Sequence, residues 1–135
     1  MVSLLAWAIA QVLKALISYW ILKEFNIERL IGAGGMPSSH SALVVSLVTA
    51  VGFTEGFDST YFAIATVFAG IVMYDATGVR QAAGKHAKVI NQLVRQLRYE
   101  HKIGDISLKE LLGHTPLEVI AGALLGFFVA YIYCM

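Results

Sequence analysis

Pro116 to Met135, read as PLEVIAGALLGFFVAYIYCM, decides the fold class, because Glu118 is its sole charge. A helix needs about 20 mostly apolar residues to cross the hydrocarbon of a bilayer, with about 17 as the lower limit. Val2 to Leu22 also qualifies, interrupted by Gln11 and Lys14. Ser38 to Phe53 and Tyr61 to Tyr74 are apolar but short. Across its 135 residues the chain is 58% hydrophobic and 14% charged, with a mean hydropathy of +0.70. A soluble domain has roughly a quarter of its residues charged, and one this small has too much surface to hide such an apolar excess. The composition therefore predicts an all-α integral membrane helical bundle of about four spans. The whole of 1–135 reads as a single membrane domain, with spans at about 2–22, 38–54, 60–78 and 115–134. The N-terminal segment lacks a basic start and a small-residue cleavage site, so it reads as a retained span. Cys134, as the one cysteine, allows no intrachain disulfide.

The polar segments divide into two kinds. Ile31 to Gly35 is a Gly-rich turn, and Glu55 to Asp58 is a short acidic one. Between the third and fourth spans lies VRQAAGKHAKVINQLVRQLRYE, Val79 to Glu100. Its apolar residues recur at three- and four-residue spacing, which predicts a basic amphipathic helix over about 80–100. Ser107 to Glu110 fits a capping box opening a short further helix. Of the ten Lys and Arg, Lys14 lies within a span, Lys23 and Arg29 in the first loop, and the other seven, Arg80 to Lys109, in the third loop. The second loop holds Glu55 and Asp58 and no basic residue. Basic loops stay cytoplasmic. A multi-pass cell-membrane protein with both termini outside follows.

Under that topology three polar clusters share the cytoplasmic side: Met36 to Ser41, Asp75 to Arg80, and Gly113 to Glu118. Two of them open helices, whose unpaired N–H groups and positive potential bind anions. Pro37 and Pro116 suit a first helical turn. Arg80 adds a planar fork that matches phosphate oxygens. His40 and His114 supply the general acid and the nucleophile that phosphoryl transfer requires. Glu118, four residues after His114, is placed to reach back and fix its imidazole. Lys14, inside the first span, reads as functional because intramembrane charges usually are, and Gln11 lies three residues before it on nearly the same face.

Gly113 to Gly126, GHTPLEVIAGALLG, resembles the last signature of the type 2 phosphatidic-acid phosphatase and vanadium-dependent haloperoxidase superfamily: Ser-Arg, five residues, His, three residues, Asp. Pro37-Ser38-Ser39-His40 resembles its Pro-Ser-Gly-His signature. Gly34 to Ala42, GGMPSSHSA, with Asp75-x-x-Gly78-Val79-Arg80 downstream, looks like the divergent bacterial and plant branch. The resemblance implies that His114 attacks phosphorus to form a phosphohistidine, and that Glu118, standing where the family has Asp, orients it. It implies that His40 protonates the leaving oxygen, and that Ser38, Ser39 and backbone N–H groups hold phosphate oxygens. It implies no metal and no cofactor. The chain also departs from the family. The first signature, a Lys six residues before Arg-Pro, is missing, and Lys14 is the candidate substitute. Ser107-Leu108 stands in place of Ser-Arg, so Arg80, Lys85 or Lys109 must supply the cation. Asp75 and Arg80 have no counterpart in the ordinary signatures, whose membrane members have six spans.

Plainer roles compete at each position. Glu118 with Thr115 also fits a capping box, Ser38 or Ser39 also suits a cap, and Asp75 also suits an ion pair with Arg80. Gly122 and Gly126 form a small-x-x-x-small pattern for close packing or dimerisation. Two classes of function follow. One is a metal-independent membrane phosphatase acting on a lipid-linked phosphate or pyrophosphate. The other is a non-catalytic lipid-phosphate binder, transporter or scramblase on the same scaffold. A purely structural subunit is a third, weaker reading. Nucleic acid is excluded as a partner, since the basic helix lacks a soluble reading module. Four short spans bury little around a site, so a homodimer or larger assembly is expected.

Overall fold

The computed structural model describes residues 1–22, 35–99, 108 and 113–135, and over them the chain is helical. Helix α1 covers Val2–Leu22, α2 Ser39–Glu55, α3 Thr60–Thr77, α4 Val79–Tyr99 and α5 Pro116–Cys134. The first loop, most of the Gly-rich turn and the expected helix after Ser107 lie outside the described residues.

Side-chain size sorts inside from outside. The buried core is made of small residues, among them Ala6, Ala10, Ala42, Ala65, Ala69 and Ala130, while Trp7, Leu16, Ile64, Phe68, Ile71, Leu124, Phe128 and Ile132 face outward. A soluble protein of this size would bury such side chains. A bilayer dissolves them, and helices within it approach through small residues. Hydroxyls in the helices bond back to their own carbonyls, as Ser46 Oγ does to Leu43 O at 2.9 Å and Thr49 Oγ1 to Val45 O at 2.9 Å. In lipid that satisfies donors that water would otherwise take up.

Three segments are long and apolar enough to cross a membrane: Val2–Trp20, a run Thr60–Leu97 through α3 and α4, and Pro116–Cys134. The chain is thus an all-α membrane protein. Helix α2, the expected second span, is shorter than these three. At 17 residues it is roughly 25 Å long, against a hydrocarbon thickness of about 30 Å. It sits at the centre of the bundle, packed against α1, α3 and α5. Protein rather than lipid surrounds it, which is why it carries buried Ser41, Ser46 and Thr49.

Helices α2 and α5 are parallel and nearly in backbone contact. A Cβ on Gly122 would run into the Ser38 carbonyl, and one on Gly126 into the Ala42 carbonyl. The two glycines and their two opposing residues advance by the same four positions, so both helices start at the same end. At the far end Phe53 of α2 lies 5.8 Å from Tyr131 of α5 between ring centroids. Phe57 and Phe62 extend that aromatic cluster at 5.7 and 5.2 Å. A tight turn from Gly56, with φ +94°, reverses the chain into α3, whose N-cap Ser59 accepts from Phe62 N at 3.1 Å. The C-terminus of α3 therefore returns to the end where α2 and α5 begin.

Candidate functional site

Three backbone constraints bring the polar clusters together. The Ser38 N–H donates to Glu118 O at 3.0 Å, tying the start of α2 to the first turn of α5. The His114 N–H donates to Ala76 O at 2.8 Å, tying the residue before the N-cap of α5 to the end of α3. Gly113, with φ +87°, passes so close to the Arg80–Gln81 backbone that a Cβ there would collide with it. That φ is open to glycine at little steric cost. Gln81 Nε2 adds a contact to His114 O at 3.5 Å.

His114 is 2% exposed. Its Nδ1 lies 3.2 Å from Glu118 Oε2. The same oxygen accepts from Thr115 N at 3.0 Å, while Thr115 Oγ1 accepts from Glu118 N at 3.3 Å. The capping box is therefore complete, and it is also what holds the carboxylate against the imidazole. An ionised carboxylate can only accept, so the shared proton sits on Nδ1. Nε2 is then a lone-pair acceptor, buried and without a hydrogen-bond partner among the described residues. Burial pushes the imidazole below its ordinary value; the hydrogen bond and charge of Glu118 oppose that, and the charges of Lys14 and Arg80 act with it.

The His40 ring, exposed in the first turn of α2, is 6.1 Å from the His114 ring between centroids, tilted by 58°. Lys14 is 2% exposed although it belongs to a membrane-spanning helix. Gly35, at φ +96°, lets its stem pass; a Cβ there would sit 3.1 Å from Lys14 Cε. The charge of Lys14 acts on Glu118 and on both imidazoles. Gln11 Oε1 is buried with no hydrogen-bond partner among the described residues. Arg80 Nε donates to Asp75 Oδ2 at 2.6 Å, in a part-exposed ion pair, and its charge also acts on both imidazoles. Because Nε serves Asp75, both terminal nitrogens remain outside that bond.

Ser38 is fully buried and caps α2, its Oγ accepting from Ser41 N at 3.4 Å and from Ser41 Oγ at 3.1 Å. Ser39 is buried beside it as the first residue of α2. Lys85 is exposed on α4, with no hydrogen bond or ion pair among the described residues. Lys109 lies outside the described residues. Ser41, Gln81 and Gly113 were not singled out as site residues by sequence reasoning. A Gly directly before the His was a usable signal for a left-handed turn; Gln81 gave none.

Histidines, cations and helix starts gathered at one end of a small-residue bundle define a helical membrane protein of PAP2-like type. Residues 1–129 match the profile of the family described as "Divergent PAP2 family", and the chain belongs to that family. It is similar to the uncharacterized membrane protein YuiD of Bacillus subtilis (strain 168), 42% identical over 141 residues that cover 96% of this chain and 89% of that one. No solved structure matches the chain.

Proposed function

We propose that the protein is a metal-independent phosphatase that hydrolyses a lipid-linked phosphate or pyrophosphate at the cytoplasmic leaflet through a phosphohistidine. One observation carries this reading: a buried imidazole whose Nδ1 is held by Glu118, whose Nε2 has no hydrogen-bond partner among the described residues, and whose ring centroid lies 6.1 Å from that of a second imidazole. Positive groups near the two imidazoles support it. They are the N–H groups opening α2 and α5, Lys14, and Arg80.

The step balances without an added cofactor. The Nε2 lone pair of His114 forms a bond to phosphorus as the bond from phosphorus to the leaving oxygen breaks. Protonated His40 gives its proton to that oxygen. Glu118 stabilises the positive imidazole ring, as the carboxylate of a triad does. Water then attacks the phosphohistidine, neutral His40 takes its proton, and the N–P bond breaks to regenerate His114. Lys14 and the terminal nitrogens of Arg80 offset charge on the equatorial oxygens. The charge pattern of the loops supports a cytoplasmic site and outside termini.

The test is phosphate release by the purified protein in detergent from an isoprenoid or glycerolipid phosphate. Vanadate, which mimics five-coordinate phosphorus, should inhibit it, and His114→Ala should abolish it. Release undiminished in His114→Ala would remove His114 as nucleophile. A second reading, a non-catalytic lipid-phosphate binder, transporter or scramblase, is favoured by the ion pair that ties Arg80 to Asp75. It predicts vanadate binding without phosphate release.

A further inference from the structure

Helix α4 leaves a large apolar stripe without a partner among the described helices. Val79, Val89, Ile90, Leu93 and Leu97 are between 39% and 60% exposed. Among the described helices α4 packs against α3 alone. The face it does bury is narrow and made of Gly84, Ala87 and Asn91. Asn91 holds the returning chain there, donating from Nδ2 to Leu108 O at 2.8 Å and accepting from Leu108 N at 2.9 Å.

The charge of α4 has one sign. Val79–Tyr99 contains Arg80, Lys85, Lys88, Arg95 and Arg98 and no Asp or Glu. At about 100° per residue, Lys88 and Arg95 fall on the side away from Val79, Ile90, Leu93 and Leu97. Such a helix, with a mostly apolar stripe interrupted by His86 and with Lys88 and Arg95 on a polar side that carries no acidic residue, suits the boundary between acyl chains and anionic headgroups. The preceding helix α3 also exposes large apolar residues, Ile64, Phe68, Ile71 and Tyr74.

We propose that α4 lies in the surface of an anionic bilayer, its Val79–Leu97 stripe among the acyl chains and Lys88 and Arg95 among the headgroups. Its first turn carries Arg80, so the helix holds anionic lipid beside the candidate site. The inference does not depend on whether that site turns over.

The test uses the full chain with Cys134→Ser and one nitroxide-labelled cysteine at a time, Leu93→Cys, Leu97→Cys or Lys88→Cys. The protein is placed in nanodiscs of phosphatidylcholine, with or without phosphatidylglycerol. Labels at positions 93 and 97 should become accessible to oxygen and protected from a soluble nickel chelate when phosphatidylglycerol is present. The label at position 88 should stay open to the chelate in both. In the 93-labelled protein, removing two charges with Lys88→Gln and Arg95→Gln should weaken the anionic preference about fivefold per charge. Phosphate release should be unaltered by that pair. Chelate access at positions 93 and 97 equal in the two lipids would overturn the proposal. Protection from both oxygen and chelate would overturn it too, since it would mean that a second protein surface covers the stripe. Because depth and turnover are read separately, the failure of either proposal is visible without the other.

Discussion

A single carboxylate oxygen of Glu118 accepts from the backbone of Thr115 and from the ring of His114. Capping and orienting, which read as rivals in the sequence, are one arrangement here: the cap fixes the oxygen that the imidazole uses. Glu118→Gln keeps the shape and loses the charge. We expect kcat to fall by about 10²- to 10⁴-fold, as when the carboxylate of a triad is replaced, with a smaller change in KM. The pH profile gives a second readout. His114 sits below its ordinary value because of burial, and Glu118 pulls it upward. The acid limb of kcat/KM should therefore lie below the usual imidazole range, near 6.5, and move lower still in Glu118→Gln. An acid limb that rose in the variant would contradict the arrangement. The same shift has a consequence for folding. A histidine depressed in the folded state favours folding above its unfolded value, and that contribution is lost as pH falls through the folded one.

At the scale of elements, Gly122 and Gly126 set how closely α2 and α5 approach, and so how near their N-termini stand. Gly122→Ala should cost about 1–3 kcal/mol through overpacking against the Ser38 carbonyl, read as a lower thermal midpoint in detergent, and should lower phosphate release with it. Gly70, in α3, has nothing within 4 Å of a Cβ. Gly70→Ala should be neutral or raise stability by up to about 1 kcal/mol, the helix preference of Ala over Gly. A loss at position 70 as large as that at 122 would remove close packing as the cause. The all-α membrane class was legible because apolar run length and low charge are properties of the chain itself. The central position of α2 was not legible, since being one turn short and holding Ser41, Ser46 and Thr49 gains meaning only when its neighbours are seen. Among the site residues, the Asp75–Arg80 pair could be anticipated from a spacing of five. Gln81 could not, because its contact with the His114 carbonyl depends on Gly113 bringing a distant loop against α4.

Across the whole molecule, the account depends on α2 and α5 starting, and α3 ending, at one membrane face. Cysteine-accessibility labelling in oriented membranes should place Met36 and Thr115 on the same side, with Phe57 on the other. The charge of Lys14, buried in the first helix, acts on both imidazoles, so under the proposed function Lys14→Met should weaken vanadate inhibition by about tenfold or more while the chain still inserts. The claim most open to direct attack is that His114 Nε2 takes the phosphoryl group. Rapid quench of the membrane-reconstituted protein with a lipid phosphate labelled on phosphorus reads this step itself. The account predicts an acid-labile, base-stable phosphoprotein that appears within one turnover and is missing from His114→Ala. Turnover with no such species, or the same labelling in His114→Ala, would contradict it.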